Sequence, residues 1–249
     1  VEGKLMSPDF VYQGSRLAAE EMVQAGITCT NDQYFFPLDT ARGLRESGMK
    51  CAVSAFFIGF PSAWAKTEDE YIRKAEEVIE HFRGDRQVHV TVGPHAPYTV
   101  GDEALKKLAA MSERHDLPIH IHVGETEAEI EGSIKQYGVR PIERLRKLGL
   151  VNPRLISVHS VHMNDEDIRT LAEAGASVCH CPSSNLKLAS GFSPIDRMMK
   201  AGINIGIGTD GVASNDKLDM LAETRLAALL AKAAARDPTA ASVHKMLYA

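Results

Sequence analysis

Hydrophobic and polar positions along this chain switch repeatedly between two periods. Over residues 8–25, Phe10, Leu17, Ala18, Met22 and Val23 recur at helical spacing, and Gly26 supplies a stop. A β-branched run over 27–32 ends in polar residues and predicts a strand. A helix is expected over about 38–47, and a continuous apolar strand within 49–59. Residues 68–83 predict a strong helix, with Glu68, Asp69 and Glu70 suiting its positive N-terminus. The unit then repeats. Strands are expected at 88–92, 118–123, 155–161, 176–181 and 203–208. Helices are expected at 102–115, 126–137, 140–148, 165–174, 194–201 and 216–235, and another begins at Thr239 after Pro238.

Strands that alternate with helices pair in parallel through right-handed crossovers. These strands are apolar without strict alternation, as strands covered on both faces are. Two α/β architectures fit: an open doubly wound sheet and a (β/α)8 TIM-type barrel. No G-x-x-x-x-G-K-[ST] occurs, so P-loop binding has no support. The chain opens on Val1 and closes at Leu247-Tyr248-Ala249 inside a young helix. Seven strands between such ends read as one truncated barrel over 1–249, lacking its first strand. An open barrel edge of that kind is expected to lower solubility or activity.

Composition narrows the function classes. The 249 residues are 44% hydrophobic and 24% charged, enough for a sizeable core. The formal net charge is -5 and the basic residues are scattered, which argues against a nucleic-acid surface. No apolar run approaches the roughly 18 residues of a membrane span, and no signal peptide starts at Val1. Cys29, Cys51, Cys179 and Cys181 contain no C-x-x-C pair and read as reduced thiols, so the expected location is the cytoplasm.

Candidate chemistry collects where strands end, the functional face of a barrel. His120 and His122 share a strand face by period-2 spacing, and Glu125 lies just beyond Gly124. A histidine beside a carboxylate suits a metal ligand next to a proton shuttle; the alternative is a packed histidine pair and a helix-start glutamate. Other strand ends carry His95 between prolines, His159, Cys181 with Asn185, and Asp210 between Thr209 and Gly211. Each has a plain alternative: a capped loop histidine, a hydrogen-bonded core histidine, a helix N-cap. The specific signal is three histidines and an aspartate at successive strand ends. His159 and Val161 share a face by parity, and His162 is set aside as a loop or supporting group. Cys179-His180-Cys181 lacks the second ligand pair of a zinc finger.

As a set, these motifs resemble a known family. Gly93-Pro94-His95-Ala96-Pro97-Tyr98, His120-Ile121-His122-Val123-Gly124-Glu125-Thr126, Val158-His159, His180-Cys181-Pro182-Ser183-Ser184-Asn185-Leu186-Lys187-Leu188 and Gly208-Thr209-Asp210-Gly211 follow the order of the amidohydrolase superfamily. The similarity is to its branch of 5-methylthioadenosine/S-adenosylhomocysteine deaminases and chlorohydrolase-like enzymes, over nearly the whole chain. It implies a distorted (β/α)8 barrel with one divalent metal ion, usually zinc. It also implies a first-strand H-x-H pair and a flanking small β domain, neither of which this sequence shows. The position of His120-x-His122 in the series of strands puts it on the family's fifth strand.

Carried across by position, His122 resembles a metal ligand. Asp210 resembles a metal ligand that also takes a proton from metal-bound water. Glu125 resembles the group that protonates the purine ring and contacts substrate, and His159 the histidine that steadies the attacking hydroxide. His95 and Glu2 resemble substrate-binding residues, Glu2 toward ribose hydroxyls, and Phe60-Pro61-Ser62-Ala63-Trp64-Ala65 resembles a rim loop beside the substrate. The resemblance thus implies zinc-dependent hydrolytic deamination of an adenine nucleoside (methylthioadenosine, S-adenosylhomocysteine or adenosine) to the inosine analogue and ammonia. It implies a small-molecule partner, no nucleic acid or membrane, and room for a homo-oligomer. Two alternatives stand beside it: hydrolysis of another heterocycle such as guanine, cytosine or a triazine, or an inactive truncated barrel.

Overall fold

A computed structural model describes residues 5–247; Glu2 therefore lies outside the described residues. Two compact units divide the chain, one running to His120 and the other starting at Ile121.

In the first unit, α1 (Pro8–Gln24) begins on Ser7, whose hydroxyl accepts the Phe10 N–H at 3.2 Å, with Pro8 at the first helical position. Strands β1 (Cys29–Asp32), β2 (Lys50–Phe57) and β3 (Val88–Pro94) pair in parallel, Cys51 opposite Val88 and Phe57 opposite Pro94. Ile119, at the start of β4 (Ile119–Val123), pairs with Val92. Helices α2 (Pro37–Glu46), α3 (Glu68–His81) and α4 (Asp102–His115) link them. Val53, Phe57 and Val92 of the strands are fully buried, as are Leu44, Tyr71, Leu105 and Leu108 of the helices. That two-sided burial is why β2 is apolar from Cys51 to Phe57 apart from the buried Ser54.

In the second unit, β4 ends and is followed by α5 (Glu127–Tyr137) and α6 (Pro141–Lys147). Then come β5 (Leu155–His159), α7 (Asp165–Glu173) and β6 (Ser177–His180). After them the chain forms α8 (Pro182–Lys187), α9 (Ile195–Lys200), β7 (Asn204–Ile207), α10 (Val212–Asn215), α11 (Met220–Ala235) and α12 (Val243–Met246). Here β5, β6 and β7 pair in parallel, and Leu145, Leu150, Leu155, Leu171 and Met198 are fully buried.

The strands among the described residues follow chain order, β1 through β7. A doubly wound sheet reverses its order at a switch point. The order here shows no such reversal. No helix among the described residues is long and apolar enough to cross a membrane.

Three boundaries differ from the pattern-based expectation. The strand expected over 155–161 stops at His159, because His159 and Ser160 take φ of 68° and 48°, outside the pleated region. The parity that paired His159 with Val161 therefore fails. Residues Pro182–Lys187, given no element by the pattern, form α8, started by Pro182. The helix expected over 216–235 starts later, at Met220: Asp216 is left-handed after the short α10, and Asp219 caps α11 by accepting the Ala222 N–H at 3.0 Å.

Candidate active site

The second unit places its candidate groups at the ends of β4, β5 and β7, and each exit uses a left-handed residue. Gly124 has φ 64°, His159 68° and Asp210 57°. Glycine adopts this region freely; histidine and aspartate do so at a cost, and such outliers concentrate at functional sites.

At the β4 exit, Thr126 caps α5 by accepting the Glu129 N–H at 3.2 Å. The buried Glu129 carboxylate reaches back, Oε1 accepting from Gly124 N at 2.8 Å and Oε2 from Glu125 N at 3.0 Å. This variant of a capping box fixes the backbone that carries Glu125. Burial pushes the Glu129 carboxyl up to about 7, against the lowering effect of the two N–H donors.

Glu125 is half-buried. Its Oε1 accepts from Ser190 Oγ at 3.4 Å, and its Oε2 lies 3.9 Å from His159 Nε2. The His159 ring stacks on His122 with centroids 5.5 Å apart and planes inclined by 23°. The other nitrogen of His159, Nδ1, is 2.9 Å from Asn185 Oδ1 on α8. Beside His159, burial and the histidine's charge push His180 down to about 3, so His180 stays neutral.

Asp210 is tied by three donors. Its Oδ2 accepts from Ser184 Oγ at 2.6 Å and Ser214 Oγ at 2.7 Å, and its Oδ1 from Gly211 N at 2.8 Å. Burial raises this carboxyl, but those hydrogen bonds and the nearby His159 more than offset it and hold it below the usual carboxylate range. A carboxylate has about four lone-pair sites, so these three donors do not saturate it.

The fold thus brings His159 against both His122 and Glu125 and keeps Asp210 within electrostatic reach of His159. His95 belongs to the first unit, where its Nδ1 meets Thr99 Oγ1 at 3.0 Å and its ring meets the edges of Phe56 and Tyr98. There too, Trp64 of the expected rim loop is buried against Phe56 and Tyr71, while Phe60 is exposed. His162 holds a loop by donating Nε2–H to the Ser190 carbonyl at 2.7 Å. Sequence reasoning left Glu129, Ser184, Ser190 and Ser214 unassigned and noted Asn185 only as a strand-end residue.

Comparison with known proteins agrees with the motif order. The model of the Amidohydrolase family matches residues 2–248. The chain belongs to the amidohydrolase family. A 5-methylthioadenosine/S-adenosylhomocysteine deaminase from Teredinibacter turnerae is 42% identical over 247 residues, 99% of this chain and 56% of the relative. A 5'-deoxyadenosine deaminase from Methanothermobacter thermautotrophicus is 40% identical over 237 residues, 94% of this chain and 55% of the relative. The crystal structure of an adenosine deaminase from Xanthomonas campestris with bound zinc superposes with a TM-score of 0.97 at 45% identity, covering 99% of this chain and 56% of that one. The chain spans about half the length of the curated relatives it matches.

The amidohydrolase donor set can be weighed against a zinc ion. A catalytic zinc takes about three protein ligands, imidazole and carboxylate among them. His122 and Asp210 are donors of the right kind. Among the described residues, however, no three His, Cys, Asp or Glu side chains converge on one point. The donors fit zinc in kind and fall short in number.

Proposed function

We propose that the protein hydrolyses the amidine C–N bond of an adenine nucleoside, such as methylthioadenosine, S-adenosylhomocysteine or adenosine, giving the inosine analogue and ammonia. The observation that carries this reading is the meeting of Glu125 with His159 at 3.9 Å beside His122, in a unit that also holds Asp210 as a carboxylate. The adenine-nucleoside deaminases among the relatives support the substrate class.

His122 and Asp210 would hold a divalent metal, zinc in this reading, together with ligands beyond this pair. A zinc ion supplies hydroxide near neutral pH by acidifying its water.

The chain's own residues move the protons. Glu125, as an acid, gives its proton to the ring nitrogen next to the amino-bearing carbon, which makes that carbon electrophilic. Water adds there; its oxygen forms the new C–O bond and its proton goes to Asp210. His159 lies where charge develops and supports it electrostatically. The C–N bond then breaks as Asp210 passes its proton to the amino group, which leaves as ammonia; the ring nitrogen keeps its proton, and the proton of the added hydroxyl returns to Glu125 as the carbonyl forms. His95, and Glu2 outside the described residues, would contact the nucleoside. The Glu125 side chain also borders the substrate.

The test is ammonia release from methylthioadenosine, S-adenosylhomocysteine, 5'-deoxyadenosine and adenosine, beside guanine, cytosine and a triazine, with zinc supplied. Turnover of the adenine nucleosides alone is expected. Turnover of guanine, cytosine or the triazine with none of the adenosines would sink the substrate assignment, and inertness toward all would sink the enzyme reading.

A further inference from the structure

Asn185 does something that core packing does not explain. It is buried to 1% exposure on α8. Its main chain is pinned: its N–H donates to Cys181 O at 3.0 Å, and its carbonyl accepts from Ser190 N at 2.8 Å. Of its side-chain amide, only the oxygen is used. Oδ1 faces His159 Nδ1 at 2.9 Å, while Nδ2 is buried with no hydrogen-bond partner among the described residues. Leaving a buried amide donor unmatched is costly. An apolar side chain of similar size would avoid that cost, so the oxygen must repay it.

An amide oxygen only accepts, so the Nδ1 facing it must carry the proton. In a neutral imidazole that leaves Nε2 with the lone pair, and Nε2 is the nitrogen turned to Glu125 at 3.9 Å. The ring sits on a left-handed backbone, with φ 68°. We propose that Asn185 is the positioning residue of His159: through Oδ1 it fixes the ring's rotation and its Nδ1–H tautomer, so that Nε2 alone is presented to Glu125 and the reacting atoms. This rests on the proposed role of His159 and deepens it.

The experiment uses the intact protein with zinc supplied, labelled with 15N-histidine, His159 being assigned by its loss in His159→Gln. At mildly alkaline pH the wild type should show His159 with a protonated Nδ1 and a bare Nε2. Asn185→Leu should turn this into a mixture of tautomers, and Asn185→Asp, which keeps an acceptor oxygen, should preserve it. In parallel, kcat should fall at least about tenfold in Asn185→Leu with KM and melting temperature nearly unchanged. The ceiling is the ~10⁴ lost when a catalytic histidine is left in the wrong tautomer in serine proteases. Asn185→Asp should recover most of the rate. If Asn185→Leu does not fold, Asn185→Ser, too short to reach the ring, replaces it. A wild-type spectrum with Nε2 protonated, or a Leu or Ser variant with unaltered tautomer, overturns the proposal. Absence of turnover on every adenine nucleoside would instead overturn the proposed reaction, while the tautomer measurement would still read out.

Discussion

At the scale of single residues, the candidate site separates groups that bind from groups that transfer protons. Glu125 accepts from Ser190 and lies 3.9 Å from His159. Glu125→Gln removes the transferable proton and keeps the shape. Turnover of the best adenine nucleoside is expected to drop by roughly 10²–10⁴, the usual worth of a general acid, with zinc content unchanged by elemental analysis. Parallel loss of zinc would make Glu125 a ligand. His122→Ala should behave in the opposite way and lose bound zinc; full zinc occupancy in that variant would remove His122 from the donor set. Asp210 shows why burial alone does not set ionisation. Three donors outweigh its desolvation. Glu129, with two weaker backbone donors and deeper burial, goes the other way.

At the scale of elements, the corner between β4 and α5 decides where Glu125 points. The turn needs a left-handed residue at Gly124, a helix cap at Thr126 and the returning carboxylate of Glu129. A Cβ added at Gly124 would come within 2.3 Å of Met163 Cε, the end of a flexible side chain that can move aside. The backbone conformation is the lasting cost. Gly124→Ala is therefore expected to destabilise by about 1–2 kcal/mol, the cost of a left-handed non-glycine residue, read as a lower denaturation midpoint with an unchanged slope. An unaltered midpoint would mean that the turn relaxes to another conformation. The same reasoning explains β5. Its strand ends early because His159 and Ser160 turn left-handed, and Ser193 Oγ, donating to the Ser160 carbonyl at 2.8 Å, holds that bend.

At the scale of the whole molecule, Glu129 links pH to stability. Its folded carboxyl is raised from 4.5 to about 7 by burial. Between these values the folded state holds more protons than the unfolded state, so the stability from this group falls as pH rises through the window. The slope from one proton is at most ~1.4 kcal/mol per pH unit. Chemical denaturation at intervals from about pH 4.5 to 7 should show this downward contribution. Glu129→Gln, which cannot ionise, should flatten it, and a slope identical in the two proteins would show that Glu129 is ionised in both states.

Helices and strands alternate legibly in the chain because burial imposes a period, 3.6 for one buried helix face and unbroken apolarity for strands covered on both sides. The order of strand-end groups, His122, Glu125, His159 and Asp210, was legible for the same reason: apolar runs end visibly and the next polar residue marks the exit. By itself, then, the sequence determined the parallel α/β class, the family and the identity of the exit residues. Only the tertiary structure decided the sequential strand order, the early end of β5, and the formation of α8. It also decided which nitrogen of His159 meets Asn185 and which hydroxyls hold Asp210. The physical reason is range. Periodicity reports the burial of neighbouring residues, whereas hydrogen bonds between residues 26 apart, such as His159 to Asn185 and Ser184 to Asp210, exist only once the chain has brought those strand ends side by side.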